Sequence, residues 1–257
     1  MEDNIFEQRT NVSELNQAMD TVRAEISKVI IGQQKLTELL LIGILCDGHI
    51  LIEGVPGVAK TLAAKLVAKI VDIRFSRLQF TPDLMPSDVI GTAIFNPKEA
   101  AFSFKPGPVF SNIVLIDEIN RAPAKTQAAL FEVMEERQIS MDGHTYMMEY
   151  PFIVLATQNP VEQEGTYRLP EAQLDRFLFK VQVNYPTLQD EIEILHKQQG
   201  KTQNEMLAEV NKVLSADSIR HFRSIVQQVL VEHKLVEYIA RIVSETRNNP
   251  SLYLGAS

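Results

Sequence analysis

The run GVPGVAKT, Gly54 to Thr61, has the glycines and the Lys-Thr pair of a phosphate-binding loop. Ala59 stands where the pattern has its second glycine. Because alanine keeps its backbone N–H, only a positive φ there would be costly. Lys60 is expected to reach the β and γ phosphates of ATP, and Thr61 to offer its hydroxyl to Mg²⁺, whereas a simple glycine-rich turn would not explain this pair. The residues predicted to bind ATP are Gly54, Val55, Pro56, Gly57, Val58, Ala59, Lys60 and Thr61.

Two carboxylates directly follow a second apolar run, in VLIDEIN from Val114 to Asn120. At the end of a strand, Asp117 is predicted to hold Mg²⁺ through water or the Thr61 hydroxyl, and Glu118 to polarise the attacking water. The alternative is a solvated pair of acids that caps the next helix. The position of the pair after the phosphate loop favours the catalytic interpretation.

Two further polar residues come later in the chain. Asn159 follows another apolar run, where an amide could hydrogen-bond both the γ-phosphate and the attacking water, although an Asn after a strand is more often a turn residue. Arg176 could stabilise charge on the γ-phosphate, and in ring ATPases such an arginine comes from the adjacent subunit. Taken alone, Arg176 is better explained by a surface salt bridge to Asp175, Glu171 or another acid.

The elements around these residues alternate between strand and helix. Apolar residues recur at helical spacing from Val12 to Ile31, where Ser13 could cap the start and Gly32 end the helix. A second helical stretch follows this one, and a run rich in Ala, Leu and Lys predicts another helix over Thr61 to Val71. Continuous apolar runs predict buried parallel strands over His49 to Glu53, Ile113 to Ile116 and Phe152 to Ala156. The pattern therefore predicts a parallel sheet with helices on both sides.

Two hairpins are predicted to interrupt this alternation, and helices alone are predicted to follow it. The hairpins flank Asn96-Pro97-Lys98-Glu99 and the type I′ turn pair Asp142-Gly143. Beyond Tyr185-Pro186 the strand signals end and helical spacing predicts a small second domain. Its helices are predicted over Leu188 to His196, Ile219 to Leu230 and Leu235 to Val243.

Composition narrows the class of protein. With 257 residues and 45% hydrophobic content, the chain is expected to form two unequal domains. A net charge of −8 disfavours a protein that mainly holds a polyphosphate backbone. The apolar run from Leu39 to Cys46 is too short to span a membrane, and the acidic N-terminus does not resemble a secretory signal. The single cysteine, Cys46, allows no intrachain disulfide, so a cytoplasmic location is expected.

In this order, the motifs resemble the MoxR family of AAA+ ATPases, which belongs to the helix-2-insert clade. The longest similar strings are FTPDLMPSD from Phe80, KPGPVFSNIVLIDEINRAPAKTQAALFEVMEERQI from Lys105, and LATQNPVEQEGTYRLPEAQLDRFLFK from Leu155. The family often carries alanine before the lysine of its phosphate loop, as this chain does at Ala59. The segment with Ile31 and Gly32 resembles the one that packs against adenine in AAA+ proteins.

The resemblance implies an α/β fold: a three-layer P-loop AAA+ core with a parallel sheet over residues 1–185, and a small all-α lid over residues 186–257. It also implies an Mg²⁺-dependent ATPase that forms a homo-hexameric ring. Such rings act as chaperones that mature or activate client proteins, including proteins with a von Willebrand factor A domain. The rival hypotheses are a nucleotide-gated scaffold with little hydrolysis and a DNA-dependent motor, which the acidic composition disfavours.

The chain departs from the family pattern at two places. Arg168, in Tyr167-Arg168-Leu169-Pro170, adds a positive charge that makes it a rival of Arg176 for a contact across the ring. The last residues, Leu254 to Ser257, stand where the family continues into Pro-Arg and further lid helices. The lid arginine that would touch the γ-phosphate is therefore missing from the sequence. A fragment with an incomplete lid is the favoured expectation, and a natural variant with a shortened lid is the alternative.

Overall fold

The computed structural model describes residues 10–55, 57–98, 100–159, 167, 169–200, 202–252 and 255–256. Pro56 and Arg168, both predicted at the site, lie outside the described residues. The strands are β1 (His49–Gly54), β2 (Phe75–Gln79), β3 (Gly91–Asn96), β4 (Ala101–Pro106), β5 (Ile113–Asp117), β6 (Gln138–Met141), β7 (His144–Met147), β8 (Ile153–Gln158) and β9 (Phe177–Val183). The helices are α1 (Ser13–Ser27), α2 (Gln34–Leu45), α3 (Lys60–Ile70), α4 (Pro86–Ile90), α5 (Ala124–Glu136), α6 (Glu171–Leu174), α7 (Leu188–Gln198), α8 (Gln203–Ala208), α9 (Ala216–Gln227) and α10 (His233–Asn248).

Five parallel strands form the central sheet in the order β2-β5-β8-β1-β9. Successive side chains of a strand point to opposite faces, so Ile50 and Ile52 pack in the cluster that holds α1, α2 and α3. Leu51 packs instead in the cluster that holds α5. The sheet is therefore covered on both faces, and the predicted three-layer α/β fold with a parallel sheet is confirmed.

The register of the sheet brings the carboxyl ends of its middle strands to one edge. Glu53 pairs with Gln158, and Gln79 pairs with Asp117. The loop after β1, the acids at the end of β5 and the residue after β8 are consequently neighbours. Ligands of open α/β sheets bind outside the carboxyl ends of the strands, which is where the predicted site residues meet.

The first helix is shorter than the sequence indicated, and the capping prediction was wrong. The helix begins at Ser13, whose N–H donates to Asn11 Oδ1 at 3.0 Å, and it ends at Ser27, five residues before Gly32. Val29 and Ile30 follow the helix and are both buried. The apolar spacing therefore continues beyond the end of the helix, into residues that pack in the core without being helical.

Both predicted hairpins are present. In the second, the turn residues Asp142 and Gly143 have φ of 51° and 78°, as a type I′ turn requires. The ring centroids of Phe104 on β4 and Tyr146 on β7 lie 4.3 Å apart, so the two hairpins touch each other. The first hairpin also exposes Phe95 and Phe102 at 51% and 72%.

The C-terminal region is helical, as predicted, with one additional short helix, α8. Met206 of α8 and Phe222 of α9 join the same core cluster as α1 to α3. The Arg223 Nε also donates to the Ile44 carbonyl at 2.7 Å, which attaches α9 to α2. A domain boundary after residue 185 stays a prediction. Within the described ranges, no helix has the length and apolar character needed to cross a membrane.

His49 is a buried histidine at the start of β1, remote from the phosphate loop. Its Nδ1 accepts from the Val154 N–H at 3.0 Å, so Nε2 carries the proton and donates to the Met134 carbonyl at 3.1 Å. Burial, followed by the charge of Arg137, lowers the pKa of His49 to about 4. The fold therefore holds this ring neutral.

We expect folded stability to decrease in acid because of His49. Its pKa in an unfolded chain is about 6.5, so between pH 6.5 and 4 the unfolded chain binds a proton that the folded chain does not. The contribution is complete above pH 6.5 and decreases by about 3 kcal/mol as the pH falls to 4. Urea denaturation across this range should give a smaller pH dependence for His49→Gln. The exposed His144 is the control: His144→Gln should behave like the wild type, and equal slopes in all three proteins would contradict the assignment.

Candidate active site

The phosphate loop is held tightly between β1 and the start of α3. A side chain at Gly54 would place its Cβ 2.8 Å from the Val183 carbonyl oxygen, so the neighbouring strand leaves space only for glycine. Gly57 has φ of +89°, in the region that favours glycine. Val58 is 2% exposed and anchors the loop in the core. The loop is therefore preformed, with the N–H groups at the start of α3 available to an anion.

Lys60 lies on the first turn of α3 and points back across the loop. Its Nζ donates to the Gly54 carbonyl at 2.7 Å. Burial lowers the pKa of the Lys60 amine, while the carboxylates of Asp117 and Glu118 act in the opposite direction. The amine thus lies between the loop and the acids, where a phosphate would need it.

Ala59 adopts the positive φ that is costly for a residue with a side chain. It immediately precedes α3 with φ of 59° and ψ of 18°, in the left-handed region. For a residue with a Cβ this conformation costs about 1–2 kcal/mol. Backbone strain of this kind accumulates at ligand-binding positions, and here it shapes the turn into α3.

We expect Ala59→Gly to stabilise the protein. Glycine removes the left-handed cost but adds about 0.4–1 kcal/mol of unfolded-state entropy, so the net gain should be about 0.5–1 kcal/mol. Urea denaturation measures it. The matched control is Ala24→Gly in the exposed interior of α1, which should lose about 1 kcal/mol. A loss of similar size at both positions would show that Ala59 is not strained.

Asp117 ends β5 with its carboxylate largely buried, at 9% exposure of the side chain. Its Oδ1 accepts from the Thr157 hydroxyl at 3.2 Å, and its Oδ2 accepts from Arg77 Nε at 2.6 Å. The Thr157 Oγ1 in turn accepts from the Glu118 N–H at 3.0 Å. Thr157, on β8, therefore contacts the carboxylate of Asp117 and the backbone N–H of Glu118.

Glu118 also has left-handed backbone angles, with φ of 58° and ψ of 51°. Its Oε2 forms an ion pair with Arg121 Nε at 2.8 Å, across a 3₁₀ turn over Ile119–Arg121. The acids therefore lead into this turn and do not cap the next helix. Arg121 therefore orients the carboxylate that is predicted to activate water.

These side chains line one polar cavity of about 190 Å³. It combines backbone and lysine donors with hydroxyl and carboxylate oxygens; its lining residues are Gly54, Gly57, Lys60, Thr61, Arg77, Gln79, Asp117, Glu118, Thr157 and Asn159. Oxygen donors are the ligands that Mg²⁺ prefers, and a helix N-terminus with a lysine suits a polyphosphate. The residues present therefore fit both groups.

A second, more apolar cavity of about 100 Å³ meets the first at Gly57. Ile31 lines it, together with Leu62 of α3 and Pro186, Ile194 and Met206 from the helical region. Gly32 lies beside Asp190 of α7, where an added Cβ would come within 2.6 Å of the Asp190 Cγ. Of the loop residues, Val58 and Ala59 also line this cavity, while Val55 follows β1 immediately. The shape and lining suit a flat, largely apolar base.

Arg176 is the one predicted catalytic residue that the structure places elsewhere. It immediately precedes β9, whose first residue Phe177 pairs with His49 at the amino end of β1. From His49 to Gly54 the strand runs five residues, roughly 17 Å at the usual rise. Arg176 forms an ion pair with Glu135 of α5. This matches the salt-bridge interpretation. Within one chain Arg176 lies far from the phosphate loop, so it could act only on a phosphate bound by an adjacent subunit.

With the geometry of the site established, comparison with known proteins identifies the family. A model of the ATPase family associated with various cellular activities (AAA) matches residues 49–179. The chaperone MoxR1 of Mycobacterium tuberculosis is 49% identical over 228 residues, 89% of this chain and 59% of that protein. The protein YeaC of Bacillus subtilis is 47% identical over 232 residues, 90% of this chain and 72% of that protein. This chain belongs to the MoxR family of AAA+ ATPases.

A solved structure supports the same fold. A crystal structure of a protein from Cytophaga hutchinsonii, assigned as an ATPase, superposes with a TM-score of 0.83 at 46% identity. The superposition covers 91% of this chain and 70% of the Cytophaga hutchinsonii chain. This MoxR-family chain spans 59% of the length of MoxR1, so the activity of a whole protein is a matter of proposal.

Sequence reasoning missed several residues of the MoxR-family site. Arg77 and Gln79 lie on β2, an edge strand that was not predicted, and Pro186, Ile194 and Met206 come from the helical region. No role was predicted for Thr157, which also lines the polar cavity. The available signal was an arginine in a β-prone run directly before the family string that begins at Phe80. Nothing local to the sequence indicated which helical residues would face the loop.

Proposed function

We propose that this chain binds Mg-ATP across the two joined cavities and hydrolyses the terminal phosphate. The observation that carries the proposal is the polar cavity, in which Lys60, Thr61, Asp117, Glu118 and Asn159 converge from the ends of three strands. The apolar cavity with Ile31 takes the base. Membership of an ATPase family supports the reaction class.

Each residue has a defined task in this proposal. Lys60 and the backbone N–H groups of Gly57 to Thr61 hold the phosphates, and Thr61 and Asp117 supply the oxygen ligands for the metal. When bound, Mg²⁺ neutralises charge on the β and γ phosphates. The Glu118 carboxylate separates from Arg121 and accepts a hydrogen bond from the attacking water, and Asn159 orients that water with its amide.

The energy of this cycle is proposed to remodel, mature or activate client proteins. The similar protein MoxR1 is named a chaperone, which supports a protein client. Proteins with a von Willebrand factor A domain are the proposed class of client. A homo-hexameric ring in the cytoplasm is the proposed assembly. The net charge of −8 disfavours nucleic acid as the substrate.

Lys60→Ala tests whether the cavity is the ATP site. Losing a charge-assisted contact should weaken ATP binding by about tenfold to a hundredfold and lower phosphate release accordingly. Isothermal titration of ATP with Mg²⁺, together with steady-state phosphate release, measures both. Lys65→Ala is the matched control, because Lys65 lies exposed on the same helix. If the wild-type protein binds ATP but releases no phosphate, the nucleotide-gated scaffold is favoured. Equal ATP affinity in Lys60→Ala and Lys65→Ala would refute the assignment of the cavity as the ATP site.

A further inference from the structure

Arg77 lies on the edge strand β2 and reaches the last residue of the neighbouring strand. Its backbone pairs with Leu115, so the side chain extends forward along β5 to place Nε 2.6 Å from Asp117 Oδ2. The Arg77 side chain is 49% exposed and that of Asp117 only 9%. A largely buried carboxylate is thus reached by a half-exposed guanidinium inside the polar cavity.

The ion pair occupies the carboxylate that the proposed function assigns to the metal. The Asp117 Oδ1 is held by the Thr157 hydroxyl, and the Oδ2 by Arg77. Arg77 and Asp117 both line the cavity, so a cation that binds the Asp117 Oδ2 from this space would come into contact with the guanidinium. Two cations at contact distance repel each other, and the repulsion is stronger for a divalent one.

Arg77 is the cation in direct contact with Asp117, and Glu118 has its own partner in Arg121 at 2.8 Å. The positively charged side chains that line the cavity are Lys60 and Arg77, and the negatively charged ones are Asp117 and Glu118. Without Arg77, the Asp117 carboxylate would face the phosphates of a metal-free nucleotide with less neutralisation. With Mg²⁺ present, the metal supplies that neutralisation instead.

We propose that Arg77 holds the place of the metal: it neutralises Asp117 while Mg²⁺ is absent and is displaced from Asp117 when Mg²⁺ enters with ATP. The inference rests on the proposed function, because it requires Mg-ATP in this cavity. Arg77 is a positioning residue that acts through Asp117. It determines how strongly ATP binding depends on the metal.

The test is the affinity for ATP in excess Mg²⁺ divided by the affinity for ATP in EDTA. Isothermal titration measures both affinities. In Arg77→Gln, metal-free ATP should bind more weakly and Mg-ATP more tightly than in the wild type, so the ratio should rise by about tenfold. Arg77→Lys keeps a charge but loses the Nε donor and should raise the ratio by a smaller factor. In an Asp117→Asn background, Arg77→Gln should leave the ratio unchanged, because the residue acts through that carboxylate.

The matched control is Arg74→Gln. Arg74 immediately precedes the same strand and pairs with Glu149 at the surface, so its loss should leave the ratio at the wild-type value. Thermal unfolding followed by circular dichroism confirms that each variant is folded. A wild-type protein that binds no ATP in either buffer would refute the proposed function itself. A wild type that binds ATP, with an unchanged ratio in Arg77→Gln and Arg77→Lys, would overturn the role of Arg77 alone.

Discussion

Glu118→Gln is expected to lower steady-state ATP hydrolysis by at least about a hundredfold while ATP remains bound. Glutamine keeps the size of the side chain and can still contact Arg121, but it cannot accept a proton from water. Because Lys60, Thr61 and Asp117 are unchanged, the affinity for Mg-ATP should stay near the wild-type value. Phosphate release and isothermal titration of ATP measure the two properties separately.

The control for this substitution is Glu136→Gln, at the exposed end of α5. It removes the same charge from the chain and should leave turnover unchanged. Hydrolysis at the wild-type rate in Glu118→Gln would sink the assignment of the base. If the chain is a chaperone-like motor, the ATP-loaded Glu118→Gln protein should also retain its client in a pull-down, and Lys60→Ala should not.

Arg176→Ala is expected to lower turnover by about a thousandfold if Arg176 acts across a subunit interface, as an arginine finger does. Since Arg176 lies at the opposite end of the sheet from Gly54, its removal should leave ATP affinity unchanged within one subunit. Glu135→Gln breaks the same ion pair but keeps the arginine, so it should retain turnover. Phosphate release at saturating ATP compares the three proteins.

Mixing two inactive variants distinguishes action across an interface from action within a chain. In a mixed ring, an Arg176→Ala subunit keeps its own site and can receive Arg176 from a Glu118→Gln neighbour. Turnover of the mixture should therefore exceed that of either variant alone. No recovery in a ring shown to be mixed would count against Arg176. The same mixture made with Arg168→Ala would then test its rival.

The strands and the polar residues at their ends were predictable because their signals are local. Ile113 to Ile116 is apolar at every position, and such a run is typical of a strand covered on both faces. The acids after it and the loop before α3 are also contiguous in sequence. The parallel order of strands then brings Asp117 and Asn159 to the edge where the loop begins. Their roles in hydrolysis remain predictions.

The first helix shows why boundaries are harder to predict than the existence of an element. The spacing from Leu15 to Val29 fits one continuous helix, but the helix ends at Ser27, and Val29 and Ile30 are buried beyond it. Ala59 shows the same limit in the backbone. The sequence indicated that a positive φ would be costly, and only the closed loop between β1 and α3 shows that it is adopted.

By itself, the sequence determined the α/β class, the MoxR family and the residues that stand at the ends of strands, because each depends on short-range patterns. Only the tertiary structure decided which side chains complete the site. Arg77 reaches Asp117 through the pairing of two strands 40 residues apart, and Arg121 holds Glu118 through a turn that follows a strained residue. It also placed Arg176 beside Glu135, away from the phosphate loop. The contacts of Arg77 and Arg176 join residues 40 and 41 positions apart and depend on sheet register and packing, which no local pattern encodes.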